Sequence, residues 1–110
     1  MNWQQLVDVL TTNVPAGSIT TYAEVSNWAY GVPNRNHPVR SMLVGARNNG
    51  HAVLTNRVVS VDGTFVDQPD GTNQQRDQLV EENIPFNHAG NIDLGAIAPT
   101  VLPRDKPAVD

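Results

Sequence analysis

The sequence predicts a mainly α-helical domain with a few short strands, organised around a winged-helix-like helix-turn-helix. Three observations predict it: two apolar stripes at helical spacing, short turns rich in Gly, Pro and Asn between them, and arginines along one stretch of otherwise uncharged chain. A length of 110 residues fits one compact domain with an adequate core. At 39% hydrophobic and 16% charged residues, the composition is that of a soluble globular protein.

Trp3, Leu6, Val7 and Leu10 fall at the i, i+3, i+4, i+7 spacing of one helix face. That helix is expected to end near Asn13, because Pro15-Ala16-Gly17 cannot continue it. Thr21 with Glu24 three residues on is a capping-box pattern, and it opens a short helix over about Tyr22 to Ala29. A polar loop from Tyr30 to Asn36 follows. A third helix starts near His37-Pro38, since Pro is tolerated in a first turn. Val39, Met42, Leu43 and Ala46 form its apolar stripe, and Arg40, Val44 and Arg47 its other side. Asn48-Asn49-Gly50 closes it with residues that favour left-handed caps.

Ala52-Val53-Leu54 and Val58-Val59-Ser60-Val61 read as short extended pieces. Asp62-Gly63 signals a tight turn, with Thr64-Phe65-Val66 as the returning strand. Gln68-Pro69-Asp70-Gly71 is a turn, and Thr72 with Gln75 opens a last helix to about Glu82. Residues 87–110, punctuated by Pro99, Pro103 and Pro107, read as an extended or partly disordered tail outside a domain spanning 1–86.

Net charge is −4, but it is unevenly spread. No acidic residue lies between Glu24 and Asp62, a window that holds Arg35, Arg40, Arg47 and Arg57. The remainder has three basic and eleven acidic residues, a net −8. Such asymmetry suggests a local anion-binding surface on an acidic body, or a cluster on a solvated face. The chain has no Cys, which excludes disulfides and thiol nucleophiles, and its three His show no metal-ligand spacing. No cofactor is expected. No apolar run approaches the ~18 residues of a membrane span, and a cytoplasmic monomer is the expectation.

Val14-Pro15-Ala16-Gly17-Ser18-Ile19-Thr20-Thr21-Tyr22-Ala23-Glu24-Val25 resembles the I-P-x-G-x-V-T-T-Y-G-E-I segment of the O6-alkylguanine-DNA alkyltransferases. Leu54-Thr55-Asn56-Arg57-Val58-Val59 resembles that family's P-C-H-R-V-V signature, and Arg76 to Glu82 its closing helix. The resemblance covers roughly residues 1–86 and implies a helix-turn-helix DNA-binding domain of the alkyltransferase C-terminal type. Thr55 stands where the family has its acceptor Cys, Asn56 where it has His, and Glu82 where it has the acid that orients that His. Members without the Cys form a recognised group, the alkyltransferase-like proteins. By that resemblance this chain is not an enzyme. Its implied partner is double-stranded DNA carrying O6-alkylguanine, bound in the minor groove, with the lesion flipped out and flagged to nucleotide excision repair proteins.

The resemblance also implies roles for single residues. Arg40 matches the finger that fills the gap left by the flipped base, with Arg35 as the alternative because the loop before it is longer than the family's. Tyr22 matches the Tyr that helps rotate the nucleotide, the alternative being a core Tyr on the Val25 and Ala29 face. Ser41, Arg47 and Arg57 join Tyr22, Arg35 and Arg40 as expected DNA contacts. Thr55, Val58, Gln68 and Pro69 join Tyr22 around the expected lesion pocket. Pro69 has no N–H, so a hydrogen bond that the family gives to O6 is lost there. Glu82 is expected to hydrogen-bond the Asn56 amide. Asn48 or Asn49 serves as a hinge or as a helix cap. Thr55 is a poor nucleophile, since its neighbour Asn56 cannot take its proton. The competing expectation is a drifted family member that binds a protein or small ligand. The −8 remainder, Pro69 and a shortened span from Arg40 to Thr55 favour it.

Overall fold

The computed structural model describes residues 2–65 and 74–103. Helix α1 (Trp3–Asn13) leads to strand β1 (Thr20–Thr21), which runs directly into α2 (Tyr22–Tyr30). Helix α3 (Asn36–Ala46) follows, then a wide turn over Arg47–His51, the short α4 (Ala52–Thr55), β2 (Val58–Val59) and α5 (Gln74–Glu81). α1 opens with a capping box that the sequence reading missed: Asn2 Oδ1 accepts from Gln5 N, and the Gln5 side chain accepts from Asn2 N. Thr21 caps α2 as its spacing predicted, its hydroxyl accepting from Glu24 N at 3.2 Å.

The stripe Val39, Met42, Leu43 and Ala46 is buried in full. On α1 the buried residues are Leu6, Val9 and Leu10, with Trp3 and Val7 half-covered. Trp3 lies against Gly45 of α3, where an added Cβ would sit 3.0 Å from its ring. A bare glycine thus lets α1 lie close along α3.

β1 and β2 pair in parallel, Thr20 with Val58 and Thr21 with Val59. Side chains alternate across so short a ladder, and it therefore separates two apolar clusters. Val58 joins Leu6, Leu10, Val25, Val39 and Leu102 on one side. Val59 joins Ile19, Leu79, Ile84 and Ile92 on the other.

Three expectations change. Ala52-Val53-Leu54 is helical, not extended. Three apolar residues are too few to show a period, and the left-handed Gly50 (φ 92°) redirects the chain so that it winds again. The returning strand does not form at Thr64 and Phe65, though Ser60 N does donate to Thr64 O at 3.1 Å. Val66, the turn at Gln68-Pro69-Asp70-Gly71 and the Thr72 cap lie outside the described residues.

The third change is the largest. Residues 87–103 are irregular, as expected, but they pack onto the domain. Ile92 and Leu102 are each 1% exposed. Thr100 N donates to Ile19 O at 2.7 Å, and Thr20 Oγ1 donates to Thr100 O at 2.8 Å. Leu102 N donates to Glu24 Oε1 at 3.2 Å. This strap covers the free edge of β1, which would otherwise expose unpaired backbone groups.

Gly63 joins the strap to the turn after β2. It adopts φ +84°, and a Cβ there would meet Ile92 O at 2.8 Å. Gly63→Ala is expected to cost more than about 1–3 kcal/mol, the strain of a left-handed non-glycine residue, since the clash adds to it. A urea denaturation midpoint equal to that of the parent chain would refute this.

Candidate nucleic-acid interface

α2, the loop after it and α3 form the helix-turn-helix. α2 stops at Gly31, a left-handed residue whose N–H donates to Asn27 O. α3 then buries one stripe, and the opposite side is left to solvent. Arg40, Ser41 and Val44 on that side are exposed, as are Arg35 and His37 just before them, and Arg47 is half-buried. His37, Arg40, Ser41 and Val44 line a groove of about 360 Å³.

Tyr22 stands at the first position of α2, half-buried against the core. Burial pushes its phenol above the ordinary value, and the positive charge of Arg40 pulls the other way. Tyr22, Ala23, Asn34, Asn36, Ser60 and Val61 surround a cleft of about 260 Å³, which Pro33 also borders. Of these, sequence reasoning had named Tyr22 alone as a site residue. The missed signal was the paired Asn of the loop, which read only as turn residues.

The remaining expected pocket residues do not gather there. Val58 is 1% exposed and its side chain belongs to the core. Thr55 is 8% exposed, and its hydroxyl donates to Ala52 O at 3.2 Å. Among the described residues no basic side chain hydrogen-bonds that hydroxyl, and none there activates it. Gln68 and Pro69 lie outside the described residues.

Arg57 corrects the charge reading. It is 8% exposed, not part of a surface. Its Nη2 lies 2.7 Å from Glu82 Oε2, and its Nε donates to both carboxylate oxygens at 3.0 and 3.2 Å. Its Nη1 donates to Val14 O at 3.2 Å. The guanidinium ties the end of α1 to the end of α5 and is withdrawn from any ligand. Three arginines of the acid-free window therefore remain near α3: Arg35, Arg40 and Arg47.

Glu82 is likewise reassigned. Its carboxylate pairs with Arg57, while the Asn56 amide donates to Gln78 Oε1 at 2.9 Å. Gln78 Nε2 in turn donates to Val53 O and to Glu82 Oε2, at 2.8 and 3.1 Å. Gln75 Nε2 donates to Asn56 O and Val58 O. Amides, which carry no transferable proton at neutral pH, hold the 53–58 segment against α5. Burial alone would raise the Glu82 carboxyl. The hydrogen bonds and charge of Arg57, with the Gly17 N–H and Gln78, outweigh it and hold the group below the ordinary carboxylate range.

Asn49 Nδ2 donates to Gly45 O at 2.7 Å, a bond to the last turn of α3. Among the described residues no cluster of His, Cys, Asp or Glu could hold a metal ion, and no helix is long and apolar enough to cross a membrane.

Together these elements define a helix-turn-helix fold with an arginine-bearing second helix and a small parallel ladder behind it. Solved structures share that fold. S. pombe Atl1, crystallised with damaged DNA containing O6-carboxymethylguanine, matches at TM-score 0.65 and 22% identity, over 87% of this chain and 95% of that one. S. pombe ATL in complex with DNA matches at TM-score 0.61 and 23% identity, over 84% and 86%. No protein-family model and no curated protein matches the chain.

Proposed function

We propose that this domain binds double-stranded DNA carrying an O6-alkylated guanine, without catalysing its repair. The observation that carries the reading is the exposed Arg40–Ser41 face of α3, which lines a groove, on a helix-turn-helix whose other helix opens with Tyr22 at a second cleft. The likeness to two solved DNA-bound proteins supports it. Arg40 enters the duplex in place of the flipped base, because a planar cation both stacks and hydrogen-bonds to the orphaned partner. Arg35 and Arg47 neutralise phosphates. With no Cys and no base at Thr55, the lesion is held, not dealkylated, and the complex marks it for excision repair proteins.

Competition between O6-methylguanine duplex and unmodified duplex tests both DNA binding and lesion preference. The reading expects the modified duplex to win. It also expects log K to fall by about 0.9 per neutralised phosphate for each log unit of salt. Equal affinity for both duplexes sinks lesion recognition. Arg40→Ala is expected to weaken duplex binding at least tenfold, about 1.4 kcal/mol or more. An unchanged affinity would favour a protein- or small-ligand-binding module, which the withdrawal of Arg57 from the surface also favours.

A further inference from the structure

Ser26 has no part in the face just described. It is 0% exposed, yet it is polar. Its hydroxyl donates to Val32 O and accepts from Arg35 N at 2.9 Å. Both partners belong to the loop between α2 and α3, in which every residue from Gly31 to Arg35 is exposed. Such a loop has no apolar anchor, and a buried hydroxyl that satisfies two of its backbone groups fixes its shape. The fixed loop carries Asn34, and Asn36 at the start of α3, to the cleft that Ser60 and Tyr22 also line.

Beside Ala23, Pro33 and Val61, the cleft carries neutral hydrogen-bonding groups: two carboxamides and two hydroxyls. None of the lining residues is acidic. Exposed Arg35 belongs to the same loop, and exposed Arg40 lies on the helix that follows it. Neutral donors flanked by two exposed arginines suit a phosphodiester, which offers acceptor oxygens and a single negative charge.

We infer that the loop braced by Ser26, together with Ser60, makes the Tyr22 cleft a phosphate-binding subsite that grips a nucleic-acid strand beside the Arg40 helix, with Ser26 as its positioning residue. The inference rests on the DNA-binding reading above. It adds contacts that hold the backbone rather than the lesion, so it bears on affinity for every duplex alike.

Duplex affinity of the full chain is compared for the parent, for Asn34→Ala with Asn36→Ala, for Ser26→Ala, and for all three together. The double variant and Ser26→Ala are each expected to bind about tenfold more weakly, the size of one lost charge-assisted hydrogen bond. The triple variant is expected to bind no more weakly than the double, because Ser26 acts through those Asn residues. Equal loss on modified and unmodified duplex is expected as well. A parent that binds duplex, with the Asn variant binding equally well, overturns the subsite and leaves the DNA-binding reading standing. Additive losses overturn the positioning role of Ser26. A parent with no duplex affinity overturns both readings. Asn34 and Asn36 are exposed, so the double variant decides the matter even where Ser26→Ala fails to fold.

Discussion

Leu102→Ala is expected to destabilise the domain by about 2–5 kcal/mol, the range for a fully buried leucine. The side chain is 1% exposed and packs with Leu6, Leu10, Val25 and Val39. Its neighbour Thr100 exchanges two hydrogen bonds with the β1 edge, and the Leu102 N–H donates to Glu24 of α2. The substitution therefore removes core volume at the point where the strap is fastened. Small domains are stable by only ~5–15 kcal/mol, so a loss of this size shows as a large fall in thermal midpoint. Ending the chain at residue 98 removes Thr100 and Leu102 together, and a broad, weakly cooperative transition is expected. Circular dichroism melts of both variants check this. A loss under about 1 kcal/mol for Leu102→Ala would mean that the strap is an appendage, since full burial predicts more.

Glu82→Ala carries the second large effect, about 3 kcal/mol. Removing one partner leaves the Arg57 charge buried and uncompensated, which costs about 3–5 kcal/mol in dry interiors. The lower end applies because the Glu82 side chain keeps 12% of its surface. Replacing both partners by apolar residues, Arg57→Met with Glu82→Leu, is expected to recover most of the loss. The pair also sets an acid limit. Glu82 is held below the ordinary carboxylate range, first against burial and then by Arg57. Its contribution is thus fully present above the unfolded value of about 4.3 and disappears as pH falls through the lower folded value. Stability measured from pH 7 down to 2 should decline across that window. Glu82→Gln should flatten that part of the curve, and a parallel decline in the variant would assign the acid sensitivity elsewhere.

The local signals were those the sequence displayed openly. Val39, Met42, Leu43 and Ala46 are spaced for one helix face, and the fold buries all four. Thr21 announces α2 because a cap is a contact over three residues. Non-local pairings left no such trace. Arg57 sits in an acid-free window and reads as a surface cation, while its partner lies 25 residues away. Ile92 and Leu102 lie in a stretch punctuated by Gly and Pro, with no periodicity to mark them as core. The cleft at Tyr22 joins residues from α2, the following loop and the end of β2. Only the fold brings those three segments together, so no spacing in the chain foretells it.

The strap has a consequence for how the chain acquires its structure during synthesis. Thr100 closes on Thr20 and Leu102 on Glu24, bonds that span 80 and 78 residues. Until residue 102 has left the ribosome, β1 keeps a bare edge and the cluster around Leu6 lacks one of its members. A nascent chain of this kind cannot finish its core segment by segment. Translation runs at ~5–20 residues per second, so the incomplete domain persists for seconds with apolar surface uncovered. Long-range closure of this type also slows folding itself. The domain is therefore most exposed to aggregation and proteolysis before the strap closes on β1.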